Sequence, residues 1–318
     1  MTLIGFHASH EQNTPSQLLE DVQLAEQAGF EAAMCSDHFE PWSRAQGHSA
    51  FAWSWLGAAL ATTRLRFGVV SAPGQRYHPA IIAQASATLA CMFPGRFWAA
   101  LGSGENLNEH ITGDPWPPKN VRQERIEECV DIIRRMHDGE EVTHRGHVTV
   151  DRARLWEIPE VKPPLIAPAI SVETAERSAR WADGLVTVNQ EPAKLADMLA
   201  AYRGAGGRGK AVLQVHVSWA PTEQEALEVA LRQWGSNTLS PPTAWDLARP
   251  SDFEEATRDV TEEKLRSTVQ ISADLAVHAQ RLREFADLGF DELYLHYVGT
   301  EQKPFIEAFA ERVLPEVR

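Results

Sequence analysis

Cysteine is scarce in this chain: three among 318 residues, Cys35, Cys91 and Cys129, widely separated and without a Cys-x-x-Cys pair. That spacing excludes a disulfide framework and a zinc knuckle, and it predicts small buried hydrophobes in a reducing compartment. No uninterrupted apolar run is long enough to cross a bilayer. The first residues, Met1 to His7, lack the basic and apolar regions of a secretory leader. A soluble cytoplasmic protein with no membrane partner is therefore expected. Positive charge is in deficit too, with 30 Lys and Arg against 44 Asp and Glu, a net charge of −14. Such a chain repels phosphate backbones, which argues against a nucleic-acid partner. A Walker phosphate loop is missing, and Gly102-Ser103-Gly104 is not a dinucleotide fingerprint. His7 and His10 are three apart, whereas strand-borne metal pairs alternate as His-x-His, so no metal is expected.

What the chain does have is hydrophobic content, 43% of its residues, arranged in a repeated rhythm. Short apolar runs at 3–8, 30–36, 65–70, 97–101, 164–170, 184–188, 211–219 and 292–297 read as strands. Between them lie helical patterns at 16–29, 51–63, 79–92, 121–137, 175–182, 194–202, 223–234, 274–288 and 303–313. Such alternation implies parallel strands joined by right-handed crossovers. About eight units in one domain, 1–318, favour a (β/α)8 TIM barrel with insertions; an open doubly wound sheet is the alternative. Two stretches break the rhythm, a hairpin-like excursion at about 139–155 and a polar, proline-bearing segment at about 236–265 of the kind that forms lids.

In parallel α/β folds the carboxyl ends of strands carry the site. There the chain places Asp37-His38 with Trp42 after the second strand, Val70-Ser71-Ala72-Pro73-Gly74 after the third, and Gly102-Ser103-Gly104-Glu105 after the fourth. His38 is a candidate general base, since imidazole titrates near neutrality; an isolated loop histidine is more often one bonded to a backbone carbonyl, and adjacent Asp37 and nearby Trp42 tip this one toward function. Glu105 stands in a turn whose glycines admit a close ligand, though carboxylates also favour helix starts. Trp53 and Trp55 read as helix-to-barrel packing.

Those residues carry a resemblance. Ser36-Asp37-His38-Phe39-Glu40-Pro41-Trp42, Gly47-His48, Phe51-Ala52-Trp53-Ser54-Trp55, Arg76-Tyr77-His78-Pro79-Ala80-Ile81-Ile82-Ala83-Gln84, Pro94-Gly95-Arg96, Gly102-Ser103-Gly104-Glu105-Asn106-Leu107-Asn108-Glu109 and Ala182-Asp183-Gly184 follow in order along the chain. With them the chain resembles the luciferase-like superfamily of flavin- and deazaflavin-dependent barrels, and within it the branch of the F420-dependent glucose-6-phosphate dehydrogenases. The resemblance implies an oxidoreductase moving a hydride between F420 or FMN and a small organic substrate. It implies His38 as base, Trp42 steadying the reacting centre and Glu105 serving protonation of the ring. Asp37, Val70, Ser71, Gly104 and Asn108 would border the cofactor, and Val70-Ser71 falls where the family bends its third strand, often through a non-prolyl cis peptide. A homodimer is implied as well. An FMN-dependent monooxygenase acting with molecular oxygen is the alternative, and an inactive ligand-binding barrel a third reading.

Two departures from that pattern matter. The branch holds its sugar phosphate with two lysines and an arginine; here Gln190 and Ala244 stand in the lysine positions and Arg266 alone remains, as a candidate substrate contact. The loss predicts that glucose 6-phosphate is not the substrate. After the fifth strand, Ala167-Pro168-Ala169-Ile170-Ser171-Val172 replaces the glycines that often cradle the cofactor phosphate, leaving Ser171 at a helix start as the candidate cofactor contact.

Overall fold

The computed structural model describes residues 2–317. The apolar runs form β1 (Leu3–Ala8), β2 (Ala32–Ser36), β3 (Arg66–Ser71), β4 (Phe97–Leu101), β5 (Leu165–Pro168), β6 (Gly184–Val188), β7 (Lys210–Ser218) and β8 (Glu292–Tyr297). They pair in parallel in the order β7-β8-β1-β2-β3-β4-β5-β6, and the ring closes where Gly184 of β6 faces Lys210 of β7 and Val188 faces Gln214. Closure leaves no free edge among these strands, so the fold is a (β/α)8 barrel rather than an open sheet.

Local chemistry starts and stops the helices. Thr14 accepts from the Gln17 amide and Pro15 opens the helix Pro15–Ala28, which ends at Gly29 with φ of 99°. Thr222 and Glu225 form a capping box at the start of Glu223–Trp234. The helix expected at 175–182 begins earlier, at Val172–Ser178, because Ser171 caps it.

Strand side chains alternate between two cores. One set meets the helices; the other fills the barrel axis with Ala32, Met34, Trp98, Ala100, Ile166, Val186, Val212 and Tyr294. Two glycines make that axis possible. A Cβ on Gly68 would lie 2.0 Å from the Trp98 indole, and one on Gly5 would lie 2.4 Å from the Tyr294 ring. Below this layer, buried Glu292 meets Arg66 at 2.7 Å, Lys210, and the Tyr294 hydroxyl at 2.7 Å, which closes the amino end. Above it the axial positions turn polar and open upward.

Both insertions are present. Val142–Arg145 and Thr149–Ala153 pair as an antiparallel hairpin. The second insertion holds short helices at Thr243–Asp246, Pro250–Ala256 and Glu262–Arg266 and folds over the carboxyl rim, where Phe253 packs on Trp42 at 5.2 Å. Cys35 and Cys129 are buried free thiols as expected, but Cys91 is exposed; its apolar neighbours belong to the helix Pro79–Met92, whose end faces outward. Among the described residues no helix is long and apolar enough to cross a membrane.

Asp21 is a liability of this packing. It is 1% exposed, and Oδ2 has no partner while Oδ1 accepts from Gln17 at 2.9 Å. Burial, aided by Glu20 and Glu301, pushes its carboxyl up from 3.8 to about 6. A raised acid weakens the fold as pH rises: the penalty is absent below the unfolded value and complete above the folded one. Asp21→Asn is therefore expected to stabilise the protein at neutral pH by up to about 3 kcal/mol. Urea denaturation should show that advantage growing between about pH 4 and pH 6, and an advantage independent of pH would contradict the assignment.

Candidate active site

Loops at the carboxyl rim build the site. The loop after β1 brings Glu11, 3% exposed, beneath the loop after β2. Glu11 Oε2 accepts from the Ser9 and Ser36 hydroxyls at 2.7 and 2.8 Å. Its Oε1 faces His38 Nδ1 at 3.3 Å, and neither atom has another partner. Burial alone would push the Glu11 carboxyl up; the His38 imidazole and the two serine hydroxyls outweigh it and hold Glu11 below its usual range. Trp42 packs edge-on to His38 at 5.2 Å, and its backbone amide donates to Gln46 Oε1 at 2.9 Å.

The loop after β4 brings Glu105. Gly104 has φ of 83°, and a Cβ there would sit 3.0 Å from Glu109. The turn aims Glu105 inward, where Oε2 is buried without a partner. Burial raises the Glu105 carboxyl; His38 and Arg122 oppose the rise, and Glu11 and Glu109 add to it. Asn108 Oδ1 accepts from the Phe39 amide at 2.8 Å, which ties this loop to the His38 loop.

Asp37 anchors the wall between them. Its Oδ2 accepts from Ser71 at 2.7 Å and from the Trp53 indole at 3.1 Å, and Oδ1 accepts from Tyr77 at 3.2 Å. Arg76 donates to the Asp37 carbonyl at 2.7 Å and lies 3.8 Å from Glu109. Trp53 thus combines the expected packing, against Phe97, with a bond to the site.

The loops enclose a cleft in two connected parts, of about 930 and 220 Å³. His38, Val70 and Glu105 border both; Trp42 and Ser171 border the larger, and Asp37, Ser71, Gly104 and Asn108 the smaller. Of the residues expected from sequence, one stands apart. Arg266 borders neither part: it pairs with Glu223 at 3.0 Å and Glu262 at 2.8 Å and donates to the Ile271 carbonyl. Those contacts use its fork to hold the second insertion onto the helix Glu223–Trp234, which corrects the expectation of a substrate contact. Gln190 and Ala244 do border the larger part. The Ser171 hydroxyl is committed to its own helix cap at Thr174. Val70-Ser71 is joined by a trans peptide, since the one cis bond among the described residues is Pro241–Pro242.

Sequence reasoning missed Glu11, Arg76, His216 and His296. The last two had a signal: on β7 and β8 they share axial parity with Val212 and Tyr294, which puts them at the cavity floor with His7.

Comparison with known proteins gives consistent findings. A family model described as luciferase-like monooxygenase matches residues 1–292. F420-dependent glucose-6-phosphate dehydrogenases of Beutenbergia cavernae and Microbacterium testaceum are each 34% identical, the first over 100% of this chain and 98% of its own length, the second over 99% and 97%. Among solved structures, an F420-dependent secondary alcohol dehydrogenase in complex with an F420–acetone adduct superposes with a TM-score of 0.92 at 30% identity, covering 100% of this chain and 99% of that one. The F420-dependent tetrahydromethanopterin reductase of Methanopyrus kandleri shares the fold, with a TM-score of 0.78 at 18% identity, and covers 100% of this chain and 99% of its own.

Proposed function

The chain belongs to the luciferase-like monooxygenase family, and from that premise we propose that it is an F420-dependent dehydrogenase oxidising a C–OH group to a carbonyl. It is an oxidoreductase by kinship, with cofactor F420 or FMN. The observation that carries the dehydrogenase reading is the meeting of buried Glu11, half-buried His38, Trp42 and Glu105 on one cleft.

The residues present fit a flat ring. Val70, Ser71 and Ala72 on one wall and Gly102, Ser103 and Gly104 on another keep side chains small, and Glu105 Oε2 is a buried polar atom in want of a partner. When bound, the cofactor supplies the ring that accepts a hydride from the substrate carbon. His38 takes the hydroxyl proton, and ionised Glu11 stabilises the charge that the imidazole gains. Trp42, backed by Phe253, excludes water from that side. Burial raises the Glu105 carboxyl, which favours its protonated form at the cleft. Asp37, locked by Ser71, Trp53 and Tyr77, fixes the strand ends that would border a bound ring.

The exclusion of glucose 6-phosphate drawn from Gln190 and Ala244 finds no support, because relatives 34% identical bear that activity in their names. Lys119, Lys194 and Lys264 also border the larger part of the cleft, so cations are within its walls.

Titrating the purified protein with F420 and with FMN, then adding alcohols, tests the proposal. Tight F420 binding and alcohol-dependent reduction of F420 are expected. Binding of FMN alone, with oxygen uptake by the reduced protein, would establish the monooxygenase reading in its place.

A further inference from the structure

A buried relay on the barrel axis ends in one open lone pair. His296 Nε2 lies 2.6 Å from Gln12 Oε1. The Gln12 amide has a fixed sense, because its Nε2 donates to the Val298 carbonyl. His296 thus carries its proton on Nε2, and its Nδ1 accepts. Two donors converge on that Nδ1: His216 Nδ1 at 3.0 Å and, more weakly, Gln214 Nε2 at 3.4 Å. His216 therefore carries its proton on Nδ1, which leaves Nε2 as an acceptor. Both rings stay neutral: burial, then His7 and His216, pushes His296 well below 6.5, and burial with His7 pushes His216 down to about 3.

His216 Nε2 has no hydrogen-bonding partner among the described residues. The ring borders the larger part of the cleft, with Trp234 packed against it at 4.5 Å. A metal does not fit this floor, since the two Nδ1 atoms face each other; among the described residues no group of three or more potential ligands could hold an ion.

We infer that His216 Nε2 is a specificity-determining acceptor for a substrate O–H other than the hydroxyl that His38 deprotonates, so that the site prefers polyhydroxylated alcohols to monohydric ones. A fixed acceptor favours a donor and refuses a carbonyl or carboxylate oxygen, and an acceptor that a bound ligand covers without matching weakens binding of the analogue that lacks the donor. The kinetic side of this inference rests on the dehydrogenase reading above; the spectroscopic side does not.

The test compares erythritol with sec-butanol, which have equal numbers of carbons. The wild-type kcat/KM with F420 is expected to favour erythritol by about tenfold or more. His216→Phe, which keeps a ring against Trp234 but no lone pair, should erase that ratio, and His216→Gln, which keeps an acceptor, should retain part of it. F420 binding by each variant reports that it is folded. In parallel, nitrogen NMR of histidine-labelled holoenzyme should show the unprotonated His216 Nε2 resonance moving on addition of erythritol and not of sec-butanol. An unchanged ratio with an unmoved resonance overturns the inference while alcohol oxidation stands. If no alcohol reduces F420, the dehydrogenase reading fails, and the erythritol response of the Nε2 resonance alone decides the inference.

Discussion

His38→Ala is expected to lower kcat by roughly 10²–10⁴ while the F420 dissociation constant stays within about threefold. The expectation follows from where the imidazole sits. It borders the cleft, its Nδ1 faces a buried carboxylate at 3.3 Å, and an indole packs across it. Removing it deletes the proton acceptor and leaves Glu11 buried with two hydroxyl donors but no imidazole. Glu11→Gln should act on the same step. The amide keeps the shape and loses the charge, so an expected fall of roughly 10–100-fold in kcat measures stabilisation of the imidazolium that forms during turnover. Because the two groups work as a unit, the double variant should be scarcely slower than His38→Ala. Fully multiplicative losses would show that Glu11 serves the fold rather than His38. Near-wild-type turnover in His38→Ala would remove the imidazole from the chemistry altogether.

The dyad also shows what a linear reading of this chain reveals. The strand runs are legible because each is apolar, short and closed by turn chemistry, and their number leads to the barrel. His38, Trp42 and Glu105 are legible because strand carboxyl ends are a place that topology defines in advance. Glu11 is not, because its role depends on how the loop after β1 tucks under the loop after β2, a contact across 27 positions that no local pattern encodes. Arg266 failed for the opposite reason. Its position matched a motif, but Glu223 and Glu262 compete for the same guanidinium, and competition between partners is visible only in three dimensions. His216 and His296 were legible in principle: following axial parity along β7 and β8 leads to both. Cys91 shows the limit of segment averages, since a residue in an apolar helix still faces outward if the helix turns it there.

Arg76→Met is expected to destabilise the protein by about 3–5 kcal/mol, because it leaves two buried carboxylates without their shared cation. The Arg76 side chain is 5% exposed, against 0% for Asp37 and 1% for Glu109. Its guanidinium lies 3.5 Å from Asp37 Oδ2 and 3.8 Å from Glu109 Oε1, and its backbone amide donates to Glu109 Oε2 at 2.6 Å. It joins the loop after β2 to the loop after β4 across the loop after β3, so cofactor affinity should fall together with stability. The charge argument has its own signature. Burial raises the Glu109 carboxyl, with Arg76 and Arg125 opposing the rise, so removing Arg76 should push it higher still. A folded state that favours the protonated acid gains stability as pH falls, and the deficit of Arg76→Met should therefore shrink on acidification. Glu109→Gln placed in the Arg76→Met background should recover part of the loss at neutral pH, because it removes one uncompensated charge. Urea denaturation of the single and double variants across pH separates this from lost packing: a deficit that is flat with pH and unrelieved by Glu109→Gln would mean that the arginine stem, and not its charge, holds the rim together.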